Sequence, residues 1–193
     1  EKYKNLNISF MLTPTATKVL EDNLPKYAPN DDELSYINTV FSGLNSNINT
    51  INPYEALSEN KDEYIFYKTD HHWTSKGAYI AYTVMCEKLG LTPNSIENFD
   101  VVTVTDSFYG SLSSKIGIQG KKADSIDIYI PKESDFIVTY VDEQKKSTSL
   151  FDNTYLDKKD KYNVFTGGNH PLINIKTLGD PNNKLLIIKD SYA

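Results

Sequence analysis

The first part of the chain alternates short apolar runs with an amphipathic helical pattern, and this order is the strongest constraint on the fold. Residues 6–12, LNISFML, predict a buried strand that ends before Pro14. Residues 31–44 place apolar side chains three and four positions apart, which predicts a helix, and residues 47–51 predict a second strand. Strand, helix, strand is the order typical of parallel α/β sheets.

Three further segments extend this pattern. Residues 64–67, YIFY, predict a third strand, and residues 74–90 predict a helix that Thr74 or Ser75 can cap. Residues 185–188, LLII, are apolar throughout, which is typical of a central strand buried on both faces. Chemistry gathers at the carboxyl ends of strands in open α/β sheets, so the residues that follow these strands are the first candidates for a site.

The segment from about residue 99 has a different residue pattern. FDVVTVT, DSIDIYIP and DFIVTYV are short, rich in β-branched and aromatic residues, and partly alternate apolar with polar positions. They predict antiparallel strands. We therefore expect one α/β domain over residues 1–193 with a β-rich insertion at about 99–161.

Composition excludes several classes of function. The 193 residues carry a net charge of −6 and contain no arginine, which argues against a nucleic-acid partner because guanidinium groups are the usual phosphate contacts. Cys86 is the single cysteine, so no intrachain disulfide can form. No stretch reaches the roughly 20 apolar residues of a membrane span, so we expect no transmembrane segment. No motif indicates a cofactor.

Two of the three histidines stand together in the tetrapeptide Asp70 to Trp73, which indicates a catalytic role. On an extended segment Asp70 and His72 project to the same side, and His71 points away. A serine hydroxyl needs a histidine base, and that base needs an acid to orient it. Ser191 follows the predicted strand 185–188, so it is the candidate nucleophile.

The segments that contain these residues resemble the motifs of a known protein family. TDHHWTSKGAY resembles the signature of the DHHW family, which is similar to the SGNH-hydrolase-like domains of alginate O-acetyltransferases, and IIKDSYA resembles their nucleophile segment. The resemblance implies a three-layer α/β/α sandwich with a mostly parallel central sheet. It also implies a triad of Ser191, His72 and Asp70 that moves acetyl groups on or off carbohydrate hydroxyls.

The resemblance further implies a polysaccharide substrate, an acetyl donor supplied by a membrane-bound acyltransferase, and a location outside the cell or at its surface. Export or anchoring through a segment before Glu1 is expected. Acetyltransferase and acetylesterase remain open, because that choice depends on whether the site excludes water. A non-catalytic carbohydrate-binding or assembly module on the same fold is the alternative.

Two departures from the family pattern bear on activity. Lys189 stands where the serine motif often has glycine, so close approach by an oxyanion is less assured. The sequence stops at Ala193, whereas related proteins continue into a helix whose N-terminus faces the reaction centre. We expect this fragment to be less active than its parent protein.

Several other residues are candidates for the oxyanion site or for substrate contact. In TGGNHP, Gly168 and Asn169 offer a tight backbone and an amide donor, and Gly110 in SFYGSL offers a backbone N–H. An ordinary turn explains both segments equally well. Trp73 and His71 can contact a sugar, although packing against the helix is the simpler role for Trp73.

A zinc site is an alternative interpretation of the histidines. Asp70, His72 and His170 could supply three ligands. No H-x-x-x-H spacing or cysteine pair supports this set, so we expect no metal.

Overall fold

A computed structural model describes residues 6–117, 122–133 and 135–192 of the chain. The chain divides into two compact units, Glu1–Asn94 and Ser95–Ala193. The single domain over residues 1–193, with its insertion at 99–161, stays a prediction. In the described parts of the chain, the longest and most apolar helices still fall short of what a membrane crossing requires.

The first unit is built on a pair of parallel strands. These are β1 (Ile8–Met11) and β2 (Ile48–Ile51), with Ile8 opposite Ile48. The connection between them contains α1 (Ala16–Val19), a 3-10 helix (Glu21–Asn23) and α2 (Glu33–Ser42). The predicted strand–helix–strand order is therefore confirmed for this part of the chain.

The start of α2 shows why the helix begins where it does. The Asp32 side chain accepts a hydrogen bond from the Ser35 N–H at 3.2 Å, which caps the helix. Glu33 accepts two bonds of 2.8 Å from Thr15, one from its N–H and one from its hydroxyl. Ile37 lies at the centre of the predicted apolar face and is buried.

Two helices follow β2 and complete the first unit. They are α3 (Tyr54–Glu59) and α4 (Ser75–Lys88), and α4 packs against both α3 and β2. Thr74 caps α4 as the sequence predicts. Ala81 and Cys86 lie on the buried face of α4, and Leu57 is the buried residue of α3.

The predicted strand at residues 64–67 is wrong. These residues are buried but form only a single antiparallel bridge, between Phe66 and Trp73. The Thr74 N–H donates to the Ile65 carbonyl at 2.9 Å, so the chain has already turned back on itself.

The second unit contains antiparallel strands, as the sequence predicts. One sheet pairs β3 (Phe99–Phe108) with β4 (Asp124–Pro131), and α5 (Ser111–Ile116) lies between them in sequence. The other sheet places β5 (Phe136–Tyr140) between β6 (Lys145–Ser147) and β7 (Ile173–Thr177). The described residues of this unit also form three 3-10 helices, Ile96–Asn98, Asn153–Tyr155 and Lys161–Val164.

The predicted central strand at residues 185–188 is also wrong for this structure. These residues have no regular secondary structure, and Leu186 and Ile188 are 78% and 89% exposed. An apolar run becomes a strand only when a neighbouring strand pairs with its backbone. In the sheets that the described residues form, no strand pairs with it.

The fold class is therefore mixed α/β with small sheets. One strand pair is parallel and the other pairs are antiparallel. The mixed class is confirmed, and a three-layer sandwich with a mostly parallel central sheet is not what these strands form. Among the described strands, only those of the first unit have the parallel pairing that the sequence predicts for the centre of the fold.

Candidate active site

The histidine tetrapeptide lies in a closed loop, which we call the DHHW loop (residues 66–74). The bridge between Phe66 and Trp73 closes it, and the Tyr67 N–H donates to the His72 carbonyl at 3.2 Å. Thr74 forms the last hydrogen bond of the loop, to Ile65. Backbone pairing at both ends therefore holds the side chains of residues 70–72 in place.

The first turn of α4 fixes the other side of the loop. The Thr74 hydroxyl accepts from the Gly77 N–H at 3.3 Å and donates to the Tyr64 carbonyl at 2.8 Å. A Cβ on Gly77 would overlap the Ile65 carbonyl oxygen and lie 3.0 Å from the Trp73 Cβ. Position 77 therefore requires glycine because the loop backbone packs directly onto the helix.

Asp70 and His72 form a buried acid–base pair in this loop. Asp70 Oδ1 lies 2.5 Å from His72 Nδ1 and also accepts the His72 backbone N–H at 3.0 Å. The two residues are 5% and 8% exposed. A carboxylate against Nδ1 favours the tautomer with its proton on that nitrogen, which leaves the Nε2 lone pair able to accept a proton.

His71 does not point away from this pair, and that prediction is wrong. Its side chain is half-exposed, but Nδ1 lies 3.5 Å from Asp70 Oδ1, and its ring centroid is 3.9 Å from that of His72. The loop bends here instead of running extended, so the alternation of side chains along a strand does not apply. A substrate contact for His71 stays a prediction.

Trp73 is held inside the first unit. It is 7% exposed and bridges to Phe66. A ring so buried has little face to offer a sugar, so its environment favours the packing role. The role of Trp73 as a substrate residue stays a prediction.

Ser191 lies in the second unit, in an exposed segment without regular structure. Next to it, Asp190 Oδ1 accepts the Tyr192 N–H at 2.9 Å, and the Lys189 ammonium donates to the Asp190 carbonyl at 3.0 Å. Among the described residues, no strand lies between β7 and Ser191, in contrast to the prediction. Its role as nucleophile stays a prediction.

The TGGNHP segment forms the turn that its glycines predict. Thr166, Gly167 and Gly168 have φ values of 60°, 77° and 101°. The Thr166 N–H donates to the Leu150 carbonyl at 2.7 Å, and its hydroxyl donates to the Gly168 carbonyl at 2.9 Å. Asn169 is exposed. Oxyanion roles for Gly168 and Asn169 stay predictions.

Gly110 also lies in the second unit, immediately before α5. It is buried, and its carbonyl accepts the Ser114 N–H at 3.1 Å. This hydrogen bond accounts for Gly110 as the N-cap residue at which the short helix α5 begins. Its role as an oxyanion donor stays a prediction.

His170 makes two polar contacts and one aromatic contact that the sequence did not predict. Its Nδ1 lies 2.7 Å from Glu143 Oε1 and its Nε2 lies 3.0 Å from the Thr166 carbonyl oxygen, and its ring packs on Tyr140 at 4.5 Å. Both ring nitrogens therefore face acceptor oxygens. The hydrogen bond from His170 lowers the pKa of Glu143, and burial raises the pKa of Tyr140.

The first unit thus carries a buried carboxylate–imidazole pair on a mixed α/β fold. The chain belongs to the DHHW protein family, whose model matches residues 3–193. The family resemblance that the sequence suggests is therefore confirmed. No curated protein matches the chain.

Solved structures with similar folds include a DHHW family protein from Eubacterium siraeum, which is 27% identical with a TM-score of 0.83. The match covers 98% of this chain and 64% of that protein, so the chain spans just under two thirds of its relative. Bacillus cereus PatB1 with a sulfonyl adduct is 17% identical over 91% of this chain and 62% of that one, with a TM-score of 0.71. The O-acetyltransferase domain of Pseudomonas putida AlgJ is 18% identical over 65% of this chain and 49% of that one, with a TM-score of 0.49.

Proposed function

We propose that the protein is a serine-dependent acyl-transfer enzyme that acts on O-acetyl groups of an extracellular or cell-surface polysaccharide. The observation that carries the proposal is the 2.5 Å contact between Asp70 Oδ1 and His72 Nδ1 in a buried, backbone-closed loop. This contact prepares Nε2 of His72 to take a proton from a nucleophile.

Ser191 is the proposed nucleophile. Its hydroxyl oxygen attacks the acetyl carbonyl while its proton passes to Nε2 of His72, and Asp70 stabilises the imidazolium that forms. The tetrahedral intermediate then expels the donor alcohol, which takes the proton back from His72. The acetyl group on Ser191 passes to a sugar hydroxyl in a transferase or to water in an esterase.

The oxyanion of the intermediate needs N–H donors. We assign this role to the backbone around Gly168, the amide of Asn169, and the N–H of Gly110. The positive φ values at Gly167 and Gly168 turn the backbone sharply at this point. These three positions are the ones to vary after the triad.

The acetyl and polysaccharide parts of the proposal come from the family resemblance. They include the acetyl donor delivered by a membrane-bound acyltransferase and the location outside the cell. The PatB1 structure carries a sulfonyl adduct. Sulfonyl halides react with activated nucleophiles, so the same reagent class is a suitable probe here.

The test is covalent labelling of the native polypeptide with a sulfonyl fluoride or fluorophosphonate, read by peptide mass spectrometry. We expect the label on Ser191. Ser191→Ala and His72→Ala should both abolish it, while Ser46→Ala, at an exposed turn serine, should leave it unchanged. If the folded protein takes no label at Ser191, the result would contradict the proposed enzymatic function and favour the carbohydrate-binding or assembly module.

A further inference from the structure

Two imidazole nitrogens converge on a single carboxylate oxygen in the DHHW loop. His72 Nδ1 and His71 Nδ1 lie 2.5 Å and 3.5 Å from the same Asp70 Oδ1. The three residues each offer one ligand atom, and these atoms all lie within 4.8 Å of one another. The proposed acyl transfer uses Asp70 and His72, so it does not account for the position of His71.

This set of atoms suits a borderline divalent metal ion. Imidazole nitrogen together with one carboxylate is a common Zn²⁺ ligand set, whereas Mg²⁺ and Ca²⁺ prefer oxygen alone. Two ligands of a tetrahedral zinc ion lie about 3.3 Å apart, because each bond is about 2.0 Å long. The His71 contact already has this spacing, and the His72 contact needs to open by less than about 1 Å.

We propose that Asp70, His71 and His72 bind Zn²⁺ or a similar transition-metal ion, and that this ion switches the acid–base pair off. Asp70 supplies a buried negative charge that the ion compensates. His71 is half-exposed, so it gives the ion a route from solvent to the buried pair. The ion is a regulatory ligand and takes no part in acyl transfer.

The switch follows from the tautomer of His72. A neutral imidazole has one proton, and an ion on Nδ1 leaves that proton on Nε2 after exchange with water. The ring keeps its proton count, and no oxidation or reduction occurs. Nε2 then donates and can no longer accept the proton of a serine. This loss of activity rests on the proposed function, whereas binding of the ion does not.

The test is zinc titration of the folded chain by calorimetry, with Mg²⁺ as the comparison ion. We expect one Zn²⁺ per chain and no binding of Mg²⁺ at the same concentrations. His71→Ala should weaken zinc binding by at least about tenfold. His170→Ala removes a histidine outside the cluster and should leave the affinity unchanged.

His71 is half-exposed, so His71→Ala tests the site without emptying the buried pair, and thermal melts verify that it folds. Equal zinc affinity of His71→Ala and the unchanged protein would overturn the proposal, as would the absence of zinc binding. Labelling of Ser191 gives the second measurement: zinc should suppress it reversibly. Zinc binding without any labelling in metal-free protein contradicts the proposed function alone, whereas labelling that zinc fails to suppress contradicts the switch.

Discussion

The DHHW loop and the segment that ends in Ser191 carry the two halves of the proposed triad, and they are held in opposite ways. The loop is closed by backbone pairing at Phe66 and Trp73 and is pinned by the first turn of α4. Residues 185–188 are apolar and exposed, without strand pairing among the described residues. Local sequence therefore suffices to place the Asp70–His72 pair, whereas no strand pairing holds the described residues just before Ser191.

The largest expected effect comes from a substitution that changes the chemistry of the DHHW loop without changing its shape. Asp70→Asn keeps the size of the side chain but favours the wrong tautomer of His72, so we expect acyl transfer in the native polypeptide to fall by about 10⁴-fold. The rate of acetyl-ester turnover measures it. Ser46→Ala is the control, and a loss of less than about tenfold would show that Asp70 does not orient the base.

A pair of matched leucines compares burial in the two regions directly. Leu57 is fully buried in the first unit, so Leu57→Ala should lower the free energy of unfolding by about 2–5 kcal/mol. Leu186 is 78% exposed, so Leu186→Ala in the 193-residue chain should change it by less than about 0.5 kcal/mol.

Urea denaturation measures both leucine variants. Equal losses would show that Leu186 is buried in solution and that the two regions are not held differently.

A pair of glycines tests how tightly the loop packs on α4. Gly77→Ala places a methyl group against the Ile65 carbonyl and should destabilise the first unit by about 2–3 kcal/mol. Gly43→Ala, at the end of α2, meets its nearest atom at an ordinary 3.5 Å and should change stability by less than about 0.5 kcal/mol. Thermal melts of the two variants measure the difference. A tolerated Gly77→Ala would mean that the helix does not fix the loop.

The smallest expected effect concerns the second unit at low pH. The hydrogen bond from His170 lowers the pKa of Glu143 below its ordinary value of 4.5. Glu143 therefore stabilises the fold above pH 4.5, and this contribution is lost as the pH falls through the lowered pKa. The melting temperature should fall less steeply with acid in Glu143→Gln than in Glu55→Gln, an exposed control. Identical acid profiles would show that the His170 contact is weak.

The sequence predicts those parts of the fold that local chemistry decides. The periodicity around Ile37, the Thr74 cap and the alternating strands of the second unit all depend on neighbours within a few positions, and the structure confirms them. Strand β6 has the sequence KKS, with no apolar pattern, and exists because β5 pairs with it. That pairing is a tertiary effect that composition does not reveal.

The candidate site residues likewise divide into those that local sequence predicts and those that only the structure reveals. Sequence spacing finds Asp70 and His72 because they are two positions apart, and their contact needs only a local bend. The same reasoning misplaces His71, because it assumes an extended strand where the chain forms a closed loop. The Glu143–His170 pair spans 27 positions and has no local signal, so only the structure reveals it.

The most direct test of the central claim is to trap the acetyl-enzyme. The native polypeptide is mixed with an activated acetyl ester, quenched in acid, digested and mapped by mass spectrometry. The account predicts an acetyl group on the peptide that contains Ser191, and its loss in His72→Ala. An acetyl group that forms at the same rate in His72→Ala, or that never forms on Ser191, would contradict it.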